Sequence, residues 1–259
     1  MNNSPGNAVS RSLDRKTVVI TGASRGIGRT LALGFAAQGA TVLVHHGHSQ
    51  RAAEEVVHQI IADGGAAKLV QADISDGDEV ARFVREAVDA LGTIDIWINN
   101  AGATANKEET GGLRVMDIFD RMIAVDVMGT WLCCRAVAPF MNAGGCILTT
   151  GWDHAFVGAI GMGNALYSVS KGAVIAMTRS LARELAPRIR VNCIAPGWID
   201  NEWSTQRPPT FRHRVAQSIP LKRWGTPEDV LSAALFLTSP SASFITGQIV
   251  LVNGGDVMR

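Results

Sequence analysis

Two side chains four positions apart, Tyr167 and Lys171, form the pairing in this chain best suited to moving a proton. On a helix that spacing puts both on one face, so an ammonium can lie beside a phenol. Tyrosine, with an ordinary pKa near about 10, is a poor acid or base at neutral pH. A nearby lysine cation favours the phenolate and lowers that value toward the working range. Such a phenol can give a proton to a carbonyl oxygen as hydride arrives, and take it back from an alcohol. The plainer alternative is a packed tyrosine with an incidental lysine, but this is the chain's only tyrosine.

A second constellation is Thr21-Gly22-Ala23-Ser24-Arg25-Gly26-Ile27-Gly28, a GxxxGxG run between an apolar strand pattern and a helical one. Glycines there permit a tight turn and close approach of backbone to a pyrophosphate, which the helix N-terminus attracts. The context suits a dinucleotide. Chains that prefer NAD usually carry an acidic residue near the end of the second strand. Here that strand runs out through His45-His46-Gly47-His48-Ser49 without a carboxylate. Arg25 can instead place a guanidinium on a 2′-phosphate. The expected cofactor is therefore NADP(H) in preference to NAD(H), with His46, His48 and Ser49 near that phosphate and the preference sharpening below about pH 6.5 as the histidines protonate. Alternation along the strand sends His45 and His46 to opposite faces, so no metal is expected there.

These groups need a scaffold, and the chain supplies a regular one. Short apolar runs at Thr17 to Ile20, Thr41 to Val44, Ala67 to Gln71, Ile94 to Ile98, Cys146 to Thr149, Arg190 to Ile194 and Gln248 to Val252 read as seven strands. Helical patterns at Arg29 to Gln38, Ala52 to Ala62, Asp78 to Ala90, Phe119 to Met141, Leu166 to Glu184 and Pro227 to Thr238 lie between them. Thr226 and Pro227 form an N-cap and first-turn pair. The alternation predicts an α/β, Rossmann-like, doubly wound parallel seven-stranded sheet with helices on both faces in three layers. All strands are expected to be covered on both sides.

A single domain over 16–259 fits a length of 259 residues. Residues 1–15 read as a polar tail, and Trp198 to Arg223 as an irregular substrate loop beyond a strand's carboxyl end. Charged residues are 18% of the chain and the net charge is +1 without a basic stripe, which argues against a nucleic-acid partner. Cys133, Cys134, Cys146 and Cys193 lack metal-ligand spacing and read as reduced core residues. With no apolar leader and no uninterrupted apolar span, a cytoplasmic protein free of membrane is expected.

Over Lys16 to Gly255 the chain resembles the classical short-chain dehydrogenases/reductases, including their 3-oxoacyl-carrier-protein reductase-like members. The glycine loop, Asp73-Ile74, Asn99-Asn100-Ala101-Gly102, Tyr167 to Lys171, Pro196-Gly197 and Asn253-Gly254-Gly255 occur jointly and in order. The resemblance implies adenine contacts at Asp73 and Ile74, a cofactor wall at Asn100, Ala101 and Gly102, and nicotinamide contacts near Pro196 and Gly197. It also implies a homotetramer or homodimer built on the fourth and fifth helices.

Two departures stand out. The family's serine after the fifth strand falls on Trp152 when counted from the strand, and near His154 when counted back from Tyr167, so Trp152, Asp153 and His154 compete for the place. His154 is the preferred substitute donor, with Thr150 a further candidate. The family's helix asparagine aligns with Asp126, which either preserves a proton relay or pairs with Lys171. The expected function is NADP(H)-dependent interconversion of a ketone or aldehyde with an alcohol, on a small-molecule substrate. The alternative is a catalytically weak cofactor-binding sensor.

Overall fold

Val18, Val19 and Ile20 are completely buried in the first strand, and β-branched runs of this kind set the sheet. The computed structural model describes residues 12–103 and 111–258. Its strands are β1 (Thr17–Ile20), β2 (Thr41–His46), β3 (Ala66–Gln71), β4 (Ile94–Asn99), β5 (Met141–Thr150), β6 (Ile189–Pro196) and β7 (Ile249–Val252). They form one seven-stranded sheet in the order β3-β2-β1-β4-β5-β6-β7. Every neighbouring pair is parallel. Val18 pairs with Val42 on one side and Ile96 on the other. The sheet therefore reverses its direction of growth between β1 and β4, and a ligand crevice opens beyond the carboxyl ends of those strands.

Two apolar layers flank the sheet, as the parallel topology requires. One gathers Leu31 and Phe35 of α1 (Gly26–Ala37), Val56 and Ile60 of α2 (Gln50–Ala62) and Leu237 near the carboxyl end of the chain. The other gathers Val80, Phe83 and Val84 of α3 (Gly77–Leu91) with Trp97 and Ile147 of the sheet. All four cysteines are free and buried. Full coverage fails at the edges: in β3 only Val70 is buried, and β7 is half-buried throughout. An edge strand has only one neighbour to shield it.

The single helix expected over 119–141 is composite. It comprises α4 (Val115–Met122), a π-helical stretch (Ile123–Gly129), α5 (Thr130–Val137) and a short 3₁₀ turn, and Met141 already begins β5. The segment Val115–Phe140 has the length and apolar composition of a membrane-crossing helix. Met122, Cys133, Cys134 and Val137 within it are buried. The remaining helices are α6 (Met162–Leu185), α7 (Glu202–Thr205), α8 (Pro209–Ser218) and α9 (Pro227–Thr238). The substrate loop over 198–223 is thus largely helical rather than irregular.

Thr226 does cap α9: its Oγ1 accepts from the Asp229 amide at 3.3 Å while Asp229 accepts from the Thr226 amide at 2.7 Å. Of the expected tail, residues 1–11 lie outside the described residues. The rest of it is ordered, since Leu13 is buried in the first core and donates its amide to Gln38 O at 3.0 Å.

Candidate active site

The glycine loop turns at the top of β1 and braces itself on β4. Thr21 Oγ1 accepts from the amides of Asn100 and Ala101, each at 3.0 Å, and Asn100 Nδ2 donates to Thr21 O and Gly22 O at 3.0 Å. Gly22 is held at φ +63°, where a Cβ would meet Ala101 Cα at 2.8 Å. At Gly28 a Cβ would clash with Gly22 O. Gly26, at φ +54°, faces open space instead. Two glycines thus pack the loop and the third leaves its outer surface clear, which suits a pyrophosphate at the N-terminus of α1. Ser24 is buried, Ile27 is half-buried, and Arg25 is the extended residue at the N-cap of α1.

His45 and His46 separate as strand alternation requires. His45 Nδ1 accepts from the Gly22 amide at 3.2 Å, its Nε2 donates to Ala72 O at 3.0 Å, and its ring stacks on Phe83 at 4.7 Å. It ties the glycine loop to the wall that carries Asp73, a role the sequence reading did not assign. Burial pushes its pKa down to about 4. The native ring then stays neutral while an unfolded chain takes up a proton below about pH 6.5, so stability present above that value is lost as pH falls toward the native value. We predict that His45→Asn shrinks the loss of unfolding free energy between pH 6.5 and 4.5 by about 2 kcal/mol. Urea midpoints at the two pH values read this, and parallel losses in both proteins would refute it.

His46 Nδ1 is buried without a hydrogen-bond partner. Burial also holds its pKa below the ordinary value, so its charge does not turn on near pH 6.5 as expected from sequence. His48 is exposed and Ser49 half-buried at the start of α2. A buried orphan nitrogen at the end of β2, with Arg25 entering α1, fits an anionic group on the ribose side of a dinucleotide. Asp73 Oδ1 accepts from Ser75 Oγ at 2.7 Å and from its amide at 2.9 Å, which holds the carboxyl below its usual range. Ile74 is buried, and a Cβ at Gly129 would meet its Cγ1 at 2.9 Å.

Tyr167 and Lys171 share a face of α6, with the Lys171 Nζ 5.3 Å from the phenol ring centroid. Lys171 is buried and its ammonium lies 3.3 Å from Asp126 Oδ2. Asp126 is wholly buried in the π-helical stretch; its Oδ1 accepts from the Ala103 amide at 2.7 Å and its Oδ2 from Ser170 Oγ at 3.1 Å. At Gly102 a Cβ would stand 3.2 Å from Asp126 Oδ1 and 3.3 Å from Lys171 Nζ, so the wall glycine leaves room for the pair. Of the two readings of Asp126, pairing with Lys171 is the one observed. Lys171 is held charged well above its ordinary pKa despite its burial, because Asp126 and Tyr167 oppose the desolvation.

Lys171 lowers the phenol pKa as expected, but burial and Asp126 outweigh it. Burial raises the Tyr167 value, Lys171 pulls it down, Asp126 raises it again, and the balance is upward. The group is therefore a protonated phenol over the physiological range, the form that donates.

The three contenders after β5 go to different places. Trp152 lies with its ring 5.1 Å from Tyr167 and stacks on His154 at 5.1 Å. Asp153 is wholly buried; its Oδ1 accepts from His154 Nδ1 at 2.8 Å and its Oδ2 from Asn253 Nδ2 at 3.0 Å. At Gly197 a Cβ would meet that Oδ2 at 2.8 Å, which explains the glycine after Pro196. His154 is partly exposed, with Nε2 3.6 Å from Asp256 Oδ2, too long for a hydrogen bond. The Asp153 hydrogen bond raises its pKa. The Asp153–His154 ion pair accounts for this acidic grouping, which carries no metal argument. The sequence reading had Asn253 only within the closing Asn253-Gly254-Gly255 motif and did not single out Asp256, because both approach this group only through the folding back of the carboxyl end.

A family model described as "Enoyl-(Acyl carrier protein) reductase" matches residues 22–256. The chain is similar to a 3-oxoacyl-[acyl-carrier-protein] reductase FabG of Staphylococcus epidermidis, with 38% identity over 94% of this chain and 99% of the relative. Among solved structures, a short chain dehydrogenase from Burkholderia cenocepacia in complex with NADP superposes with a TM-score of 0.85 at 33% identity, covering 95% of this chain and 99% of that one. A blue fluorescent protein from a metagenomic library, in complex with NADPH, gives 0.86 at 30% identity over 95% and 100% of the two chains.

Proposed function

Because this chain belongs to the short-chain dehydrogenase/reductase family of oxidoreductases, we propose that it is an NADP(H)-dependent ketoreductase in which Tyr167 protonates the carbonyl oxygen. The observation that carries this reading is the buried Asp126–Lys171 pair beside Tyr167, with the Lys171 Nζ 5.3 Å from the phenol ring centroid. Gly22, Ser24, Arg25, Gly26, Ile27 and Gly28 receive the pyrophosphate, and His46, His48 and Ser49 flank the 2′-phosphate beside Arg25. Asp73 and Ile74 bound the adenine, Asn100 to Gly102 form the wall, and Pro196 and Gly197 bound the nicotinamide. The bound cofactor supplies hydride to the carbonyl carbon. Tyr167 holds its proton against the carbonyl oxygen and releases it as charge develops there. Lys171, fixed by Asp126, keeps a positive charge beside the resulting phenolate.

In place of the missing serine, His154 presents Nε2–H to the carbonyl oxygen while Asp153 accepts from Nδ1–H. Both nitrogens carry a hydrogen only in the protonated ring, whose pKa lies above the ordinary value. Reduction should therefore be fastest below that raised value and decline as pH rises through it. His154→Gln should remove this limb from the profile of kcat/KM; an unchanged profile would take His154 out of the site.

The cofactor preference rests on Arg25 and the absence of an acid after β2. Arg25→Ala is expected to weaken NADPH binding by roughly 10- to 100-fold, the loss of one charge-assisted contact, and to leave NADH binding unchanged. Equal weakening of both cofactors, measured by fluorescence titration, would refute the assignment. The exposed Met116, Met128 and Trp131 of the composite helix, with Val169 of α6, favour a homodimer or homotetramer through those helices. The scattered charge favours a cytoplasmic enzyme acting on a small molecule without nucleic acid or membrane.

A further inference from the structure

One of the side chains that meet Tyr167 opens a row of flat rings. Trp152 packs against the phenol ring at 5.1 Å, tilted by 59°, and stacks on His154 at 5.1 Å with 26° between the planes. His154 meets Trp198 edge-on at 5.9 Å, and Trp198 in turn stacks on Trp203 at 6.3 Å and meets Phe211 edge-on at 6.1 Å. A row of aromatic rings thus runs from the proton donor out to α7 and α8. Trp, Tyr and Phe make up only 6% of the chain, yet they supply five of these six rings, so the concentration is local. Trp152 and Trp198 are half-buried.

The cations along this wall lie over its rings: Arg207 stands 4.4 Å from the Trp203 ring centroid with its Nε buried and without a hydrogen-bond partner, and Arg214 stands 5.5 Å from Phe211. Asp153 holds His154, and Arg212 lies 2.7 Å from Asp200 Oδ1 with its guanidinium 5.2 Å from the Trp224 ring. Asp256 adds a second carboxylate near His154. A substrate ring would meet aromatic faces and edges, the arrangement in which aromatic pairs gain beyond their buried area.

We propose that the site takes a ketone carrying an aromatic ring beside the carbonyl, or the corresponding secondary alcohol. The inference rests on the ketoreductase reading for its chemistry. In the step, hydride from NADPH forms the new C–H bond, the C=O π pair moves to oxygen, and the Tyr167 proton forms the O–H. The products are the aryl alcohol and NADP⁺, and solvent returns the proton to the phenolate.

The test compares acetophenone with 2-octanone, which match in carbon count, and with an acetoacetyl thioester, using the full chain and NADPH. The aryl ketone should have a kcat/KM about tenfold above either aliphatic substrate. Trp152→Leu and Trp198→Leu should bring that ratio near unity, chiefly through KM, while Trp198→Phe should keep it. A preference for the thioester or the alkyl ketone, or an aryl preference unchanged in both leucine variants, would overturn the inference. Binding is read separately, by calorimetric titration of 1-phenylethanol and 2-octanol into the complex with NADP⁺. Tighter aryl binding without turnover would uphold the aromatic site and overturn the ketoreductase reading; equal affinities would overturn the aromatic site even if both ketones are reduced.

Discussion

Tyr167→Phe should lower carbonyl turnover by a factor of about 10² to 10⁴ and leave NADPH affinity unchanged. The substitution removes one oxygen. The phenyl ring can keep its contact with Trp152 and its place over Lys171, whose charge remains neutralised by Asp126. No buried cation is orphaned, so the melting temperature should hold. A fall in kcat with cofactor binding intact identifies an interaction made only in the transition state. Turnover undiminished in the variant would remove the phenol from the chemistry.

Asp126→Ala should cost about 3–5 kcal/mol of stability, because it leaves the Lys171 ammonium buried without its counter-charge. It also strands the Ala103 amide, which Asp126 now accepts. Since the pair holds Lys171 above its unfolded value near about 10.4, this stabilisation is complete at neutral pH and wanes only as pH rises through the higher native value. Urea unfolding at pH 7 therefore reads all of it. Asp126→Asn separates structure from chemistry. The amide can still accept from Ala103, so the loss of stability should be smaller. Removing the negative charge should also lower the Tyr167 pKa and move the pH profile of alcohol oxidation toward acid. Unaltered stability in the alanine variant, or an unmoved profile in the asparagine variant, would show that the pair does not govern the site.

The sheet was legible because each strand is a compact apolar run: β1 and α9 coincide with their sequence boundaries, and all seven strands form. The glycine loop was legible for the same reason, its local spacing being the whole signal. What sequence periodicity could not supply was set by partners far along the chain. The composite helix reads as one apolar stripe from Phe119 onward, and its π-helical stretch coincides with the place where Asp126 reaches Lys171 and Ala103. Such stretches often mark functional sites.

The helix α8 was missed although Pro209 stands at its first turn, a start signal obscured by the adjacent Pro208. The division of labour among Trp152, Asp153 and His154 depends on Asn253 and Asp256, about a hundred residues away, so counting from either side could not decide it. Strand alternation separated His45 from His46 correctly, but gave no hint that His45 would bind the glycine loop.

The decisive measurement is the loss of reduced-cofactor absorbance when the purified protein, with NADPH, meets a panel of aryl and alkyl ketones. The geometry around Tyr167 predicts turnover of at least one ketone, with one alcohol formed per NADPH consumed and no consumption by Tyr167→Phe. Tight NADPH binding with no ketone reduced would contradict it and leave a cofactor-binding protein that has lost its chemistry along with the serine.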